Sequence, residues 1–284
     1  MKVSIFDLDG VIWRGKQVLP YAAETVQALT DNGHAVYYMT NNSRLKRSVY
    51  VNLLHDCGID AGIDQILTSG YACRLYLEDK DAQGKACFAI GGSGLVEELE
   101  AAGLTVDTES AEIPTGVGGQ IAFSAVIQAS MPTRAYDYVA IGLDKDFNYA
   151  KMATAQAANL DGAEFIASNT DATFPAESGR LMPGCGALIA SLIACTGKQP
   201  IVCGKPEPLM LDVILKHTGA AKSDVTIIGD RIDSDILMAN LAGINSILVL
   251  TGVTTLDDLE TAPDDQQPQR IFEGLGPDLV EALE

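Results

Sequence analysis

Basic residues are scarce in this chain: 19 Lys and Arg stand against 38 Asp and Glu among 284 residues, a formal net charge of −19. So acidic a surface repels nucleic acid and anionic membranes, which argues against both as partners. A phosphorylated ligand is repelled too, unless cations are gathered locally. No apolar run approaches the ~18–20 residues of a membrane span. The N-terminus turns acidic at Asp7 without the long apolar stretch of a signal peptide. The six cysteines (57, 73, 87, 185, 195 and 203) form no CxxC pair and have no close His partner. That scatter argues against zinc and against a disulfide framework, and predicts a cytoplasmic protein. No P-loop is present, since Leu192 and Gln199 stand where Gly is needed before Gly197-Lys198 and Gly204-Lys205. The run Gly91-Gly92-Ser93-Gly94 is followed by Glu97 where a dinucleotide fingerprint needs Gly, so it reads as a turn before a helix.

Apolar residues are abundant, at 47%, and can fill a sizeable core. The length exceeds one ordinary domain of ~100–150 residues and suits two. Short apolar runs at Val3–Phe6, Ala35–Met39 and Ile66–Thr68 read as buried strands. Helical stretches follow each, near 20–33, 45–57 and 70–78. This β-α order predicts a parallel sheet with right-handed crossovers, and ligands gather at the carboxyl ends of such strands. The polar linker Asp79–Gly84 marks a boundary. Further strands are expected at 86–90, 121–127, 138–141, 164–167, 200–203, 225–228 and 245–250, with loop at 14–19 and 173–179. Helices are expected near 95–102, 149–159, 184–194 and 208–217, and the tail beyond Thr251 reads as loop with short helices near Leu256 and Leu279.

Four strand ends carry polar chemistry. Asp7-Leu-Asp9-Gly10 follows the first strand, and alternation places both carboxylates on one side. Such a pair is costly unless a cation sits between the two or one carboxyl holds a proton. Both conditions suit phosphoryl transfer, and an acidic turn after an edge strand stays open as the plainer reading. Thr40-Asn41-Asn42-Ser43 ends the second strand before a helix, an anion cradle or a helix cap. Arg44, Lys46 and Arg47 add positive charge beside it, or line a solvated helix face. Gly204-Lys205-Pro206 ends another strand, where the stiff X-Pro backbone suits a cation aimed at one place. Gly229-Asp230-Arg231-Ile232-Asp233-Ser234-Asp235 is a second acidic strand end, with Asp230 where a metal ligand would stand.

In that order, these four blocks resemble the haloacid dehalogenase superfamily of phosphatases. The long insertion between the second and third blocks is similar to the NagD-type branch with its large cap. The resemblance covers essentially the whole chain. It implies an α/β fold with a doubly wound, Rossmann-like parallel-sheet core at 1–81 and 183–284, and an inserted α/β cap at 82–182. It also implies a hydrolase that takes a small phosphorylated metabolite with Mg²⁺. Asp7 would be the nucleophile and Asp9 the acid and base. Mg²⁺ would be held by Asp7, the Asp9 backbone carbonyl and Asp230. Thr40, Asn41, Asn42 and Lys205 would bind phosphate, and Asp235 would orient Lys205 or a water on the metal. Asn169–Asp171 and Arg180 are candidates for cap residues facing the site, and pairing of two copies through the cap is expected. A phosphotransferase or mutase on the same fold, a silent binding protein and a nicotinamide-binding oxidoreductase are the rivals.

Overall fold

The computed structural model describes residues 1–109, 131–132, 134–175 and 180–284. The strand expected at 121–127 lies outside the described residues. In chain order, the first half runs β1 (Val3–Phe6), β2 (Trp13–Arg14), β3 (Gln17–Val18), α1 (Ala22–Asp31), β4 (Ala35–Thr40), α2 (Arg47–Asp56), β5 (Ile66–Thr68) and α3 (Ser69–Asp79). Then come β6 (Ala86–Ile90), α4 (Ser93–Ala101), β7 (Thr105–Asp107), β8 (Tyr138–Ile141), α5 (Tyr149–Leu160) and β9 (Glu164–Ala167). The remainder is β10 (Thr173–Pro175), β11 (Leu181–Pro183), α6 (Cys185–Thr196), β12 (Ile201–Val202), α7 (Leu209–Thr218), β13 (Val225–Gly229), α8 (Leu237–Ala242), β14 (Asn245–Val249), α9 (Leu256–Thr261), β15 (Arg270–Phe272) and α10 (Pro277–Leu283).

Two parallel sheets result. The first has the order β15-β14-β13-β1-β4-β5, and the second β12-β9-β8-β6-β7. From β1 the first sheet winds to β4 and β5 on one side, and β13, β14 and β15 fill the other. The β1–β13 junction is therefore a topological switch point, where strand ends splay and leave a crevice. Phe6 pairs with Ile228 and Tyr38 in register, so Asp7, Thr40 and Asp230 all leave the sheet at its carboxyl edge.

Alternating side chains supply three apolar layers. Ile5 and Met39 face inward with Cys87, Ala89 and Ile166 of the second sheet, around α3, α4 and α7. Phe6 and Tyr38 face the outer layer of α1, α2 and α10. Phe88, Ile90 and Val139 face α5 and α6 beyond the second sheet. Strands buried on both faces need continuous apolar runs, and these carry them.

Some expectations are corrected. Residues 14–19 hold half of a small hairpin rather than plain loop, with Trp13 opposite Val18. Thr173–Pro175 is likewise a strand, paired antiparallel with Leu181–Pro183. The short strands Thr105–Asp107 and Arg270–Phe272 add edges to both sheets. The strand at 201–202 and the helix at 185–196 both lie with the second sheet, beyond the boundary drawn at 182. A two-residue strand carries too little pattern to say which sheet it joins. The glycine-rich run has a packing cause: a Cβ on Gly94 would lie 2.1 Å from the Leu45 carbonyl oxygen, and one on Gly92 2.5 Å from that of Arg44. The start of α4 is thus filled by the chain's own backbone, not by a dinucleotide. All six cysteines are free thiols, and among the described residues no helix is long and apolar enough to cross a membrane.

Candidate active site

Asp7 continues β1 past its last paired side chain, its N–H donating to the Ile228 carbonyl at 2.9 Å. Its carboxylate is buried and meets the Lys205 ammonium at 2.5 Å. The same Nζ lies 2.6 Å from Asp235 Oδ1 and 3.3 Å from the Met39 carbonyl, so all three donors are engaged. Burial alone would discharge Lys205, but Asp235 and Asp7 outweigh it and hold its pKa above the ordinary value. Burial pushes the Asp7 carboxyl well up; Lys205 opposes, while Asp235 and Asp230 add to the rise. Three carboxylates share one ammonium. The group is short of positive charge.

Asp230 makes the shortage specific. Its Oδ2 accepts the Val253 N–H at 2.7 Å, and its Oδ1 is buried with no hydrogen-bond partner. Burial, aided by Asp235, raises its pKa to about 7. Ligand oxygens of Asp7, Asp230 and Asp235 lie within 4.8 Å of one another. Asp235 Oδ1 takes Lys205 and its Oδ2 the Arg231 N–H at 3.2 Å, which leaves Asp7 and Asp230 with open oxygens. An oxygen-only set around an orphaned buried carboxylate oxygen fits a hard divalent cation.

Backbone details bring these groups together. Residues 232–236 form a π-helical turn, with the Ile236 N–H on the Arg231 carbonyl at 3.2 Å, and this widened turn swings Asp235 back over the strand end. Gly229 makes room, since a Cβ there would sit 2.3 Å from that of Asp235. Gly252, in the loop after β14, does the same for Asp230, where an added Cβ would lie 1.8 Å from Oδ2. Gly252→Ala must therefore displace Asp230. Its expected result is a fall of about 10²-fold or more in Mg²⁺ affinity, in line with losses when a ligand is misplaced, with the fold retained. Calorimetric titration with Mg²⁺ checks it; unchanged affinity contradicts the placement of the cation at Asp230.

Asp9 arrives differently from the expectation. β1 ends at Phe6, and Val11, Ile12 and Trp13 N–H groups all close on the Leu8 carbonyl, so a turn and not strand alternation carries Asp9 to the site. Its Oδ1 accepts the Trp13 indole N–H at 3.0 Å. Burial raises its pKa, with hydrogen bonds from Trp13 and Asn42 opposing. Its carboxylate stays outside the Asp7–Asp230–Asp235 cluster. Thr40 is buried and its hydroxyl accepts the Asn42 N–H at 3.1 Å. Of the three cations beside this loop only Arg44 lines the cavity. Lys46 pairs with Glu97, and Arg47 donates to the carbonyls of Ile66 and Ile63.

These groups open on a cavity of about 410 Å³. Its floor holds Asp7, Asp9, Thr40, Asn41, Lys205 and Asp230. Asn169 and Asp171 reach it from the second sheet, as does Leu143. Arg180 is exposed and does not line it. Lys16, Phe174, Arg231 and Val253 line it without having been singled out in the sequence, and Trp13 and Gly252 act just behind. Gly252 directly after an apolar strand was the one readable signal among them.

Residues 4–105 match the family of haloacid dehalogenase-like hydrolases, and residues 202–277 match a second profile of the same kind. An acid sugar phosphatase from Staphylococcus haemolyticus is 34% identical over 96% of this chain and 94% of its own. The structure of a 4-nitrophenylphosphatase from Thermotoga maritima superposes with a TM-score of 0.84 at 30% identity, covering 100% of this chain and 98% of that one. A glycerol phosphate phosphatase from Mycobacterium tuberculosis in complex with magnesium gives a TM-score of 0.80 at 29% identity, covering 99% and 76%. The chain belongs to the haloacid dehalogenase-like hydrolases and is a phosphatase of that family.

Proposed function

We propose that the protein is a Mg²⁺-dependent phosphomonoesterase that cleaves small phosphorylated metabolites through a phosphoryl group carried on Asp7. The observation that carries this reading is the Lys205 ammonium bridging Asp7 and Asp235 beside the orphaned oxygen of Asp230. Asp7 and Asp230, with the Asp9 backbone carbonyl, would hold Mg²⁺, which supplies charge neutralisation for nucleophile and phosphate.

An Asp7 carboxylate oxygen attacks phosphorus while the bond from phosphorus to the leaving alcohol breaks. Asp9, raised by burial, gives its proton to the departing oxygen. In the second half, Asp9 takes a proton from water as that water attacks the same phosphorus, releasing phosphate and restoring Asp7. The Thr40 hydroxyl and the Asn41 backbone N–H hold phosphoryl oxygens, and Lys205 offsets their charge. Asn42 acts one step back, with its N–H on Thr40 and its side chain on Asp9. Stabilising charge spread over the phosphoryl oxygens is the main task of such a site.

Phosphate release from nitrophenyl phosphate, glycerol phosphate and a hexose phosphate tests the reading, with Mg²⁺ and with chelator. Release that chelation stops and Mg²⁺ restores is the expected outcome, and no release from any ester overturns it. Asp9→Asn resolves the proton step. It is expected to slow the hexose ester by ~10²–10⁴-fold, the usual worth of general acid–base catalysis. Nitrophenyl phosphate, whose leaving group needs little protonation, should lose much less. Equal losses on the two esters would remove Asp9 as proton donor.

A further inference from the structure

Asp171 is a carboxylate in the cavity for which the chemistry above has no task. It stands on the loop after β9 and is held from several sides. Asn41 Nδ2 donates to its Oδ1 at 3.1 Å, and its own N–H donates to Asn169 Oδ1 at 3.1 Å. Asn169 Nδ2 in turn donates to the Asn41 carbonyl at 2.7 Å. The start of α6 presses on the same loop: a Cβ on Gly184 would lie 2.2 Å from the Asp171 carbonyl oxygen. Asn41 Nδ2 also donates to the Lys205 carbonyl at 3.1 Å, so the loop is tied to the catalytic floor.

Arg231 is the strongest positive influence on Asp171, yet it does not neutralise it by contact. Its guanidinium meets Asp233 at 3.1 and 2.8 Å and reaches the Thr173 carbonyl at 3.5 Å. Among the described residues, the hydrogen bond from Asn41 is the one that reaches the Asp171 carboxylate, and it takes one oxygen. The other oxygen belongs to a side chain that lines the cavity and is partly exposed there. A carboxylate fixed in this way is a pre-organised acceptor aimed at whatever the phosphate is attached to.

We propose that Asp171 selects the leaving group, its open oxygen accepting hydrogen bonds from the hydroxyls of a neutral polyol or sugar and disfavouring a leaving group that carries a carboxylate. The proposal rests on the phosphomonoesterase reading and names the substrate class within it. Hydroxyl-to-carboxylate bonds are charge-assisted and short, and a site built to hydrogen-bond a substrate hydroxyl rejects analogues that lack it. A carboxylated leaving group would instead set two like charges together in a desolvated cavity.

The test compares kcat/KM for glycerol phosphate and for phosphoglycolate, with Mg²⁺, in the unaltered enzyme, Asp171→Asn and Asp171→Ala. Nitrophenyl phosphate, with no aliphatic hydroxyl or carboxylate, serves as reference ester. The unaltered enzyme is expected to favour glycerol phosphate by tenfold or more. Both variants should cut that ratio at least tenfold, chiefly through a higher KM for the polyol ester and a lower one for phosphoglycolate. A preference for phosphoglycolate in the unaltered enzyme overturns the proposal, and so do parallel losses on all esters, which a purely structural role would give. If the variants do not fold, inhibition of the unaltered enzyme's nitrophenyl phosphate turnover decides. Free glycerol inhibiting at lower concentration than glycolate upholds the proposal, and the reverse order ends it. Turnover of nitrophenyl phosphate without these selectivities sinks this inference alone, whereas no turnover of any ester sinks the phosphomonoesterase reading with it.

Discussion

Asp7→Asn is expected to cut turnover by a factor of about 10⁴ or more, the scale on which loss of a covalent nucleophile is felt, and to leave the metal-free protein at least as stable as before. The first half follows from chemistry, since an amide oxygen is a poor nucleophile towards phosphorus. The second follows from burial. The Asp7 carboxyl is pushed well up by burial and by Asp235 and Asp230, more than Lys205 draws it down. A raised carboxyl binds its proton more tightly in the folded than in the unfolded chain. Folding stability therefore falls as pH rises above the unfolded-state value, and at neutral pH the ionised side chain is a liability. Asn is permanently uncharged and nearly the same shape. It loses one bond from Lys205, which keeps Asp235. Thermal melting at neutral pH with chelator checks the sign: an equal or higher midpoint is expected, and a clearly lower one means that the Lys205–Asp7 pair outweighs the repulsion. Saturating Mg²⁺ should reverse the order, because a ligand at about 100 times its Kd adds ~2.7 kcal/mol to whichever form binds it. Full activity in the variant removes Asp7 as nucleophile.

Much of this site was legible because a parallel sheet concentrates chemistry at one edge. Apolar runs closing on Asp-x-Asp-Gly, Thr-Asn-Asn-Ser and Gly-Asp-Arg announced strand ends. β1 lies between β4 and β13, so residues more than two hundred positions apart in sequence meet. The route to Asp9 was not legible, since nothing in Leu8-Asp9-Gly10 says that the strand stops at Phe6. Neither was the origin of Lys205. Its strand, Ile201–Val202, joins the second sheet beside β9, and a two-residue apolar pair has no preference between sheets. Edge strands such as Thr105–Asp107 and Arg270–Phe272 are short and mixed in polarity, and tertiary pairing rather than pattern creates them. Leu143 and Phe174 line the cavity as single apolar residues on loops, without a polar signature to mark them. Asp171 was within reach of sequence reasoning, but its bond to Asn41 depends on two loops whose approach only the folded chain sets.

Lys205→Met should produce the second large effect, in stability as well as rate. Lys205 is 2% exposed and its ammonium lies between two buried carboxylates, so its removal leaves Asp7 and Asp235 without a counter-charge. Breaking a buried pair by deleting one partner costs about 3–5 kcal/mol, mostly from the charge left behind. Turnover should fall by about 10²–10³, the usual loss when one preorganised donor to a developing charge is deleted. Stranded carboxylates can take up protons, so the stability deficit relative to the parent should shrink as pH falls from 8 towards 5, a trend chemical denaturation can follow. Adding Asp235→Asn removes one of the stranded charges. The double variant is expected to regain a large part of the lost stability and none of the lost activity, because Lys205 acts on the phosphoryl group directly whereas Asp235 acts through Lys205. If the double variant is no more stable than Lys205→Met alone, uncompensated charge is not the cause of the loss. The same lysine also joins the two sheets, with its backbone at the end of a second-sheet strand and its ammonium on Asp7 at the end of β1. Part of any deficit that Asp235→Asn does not repair therefore measures that tie between sheets, and bound Mg²⁺, which sits on the first-sheet side alone, should not restore it.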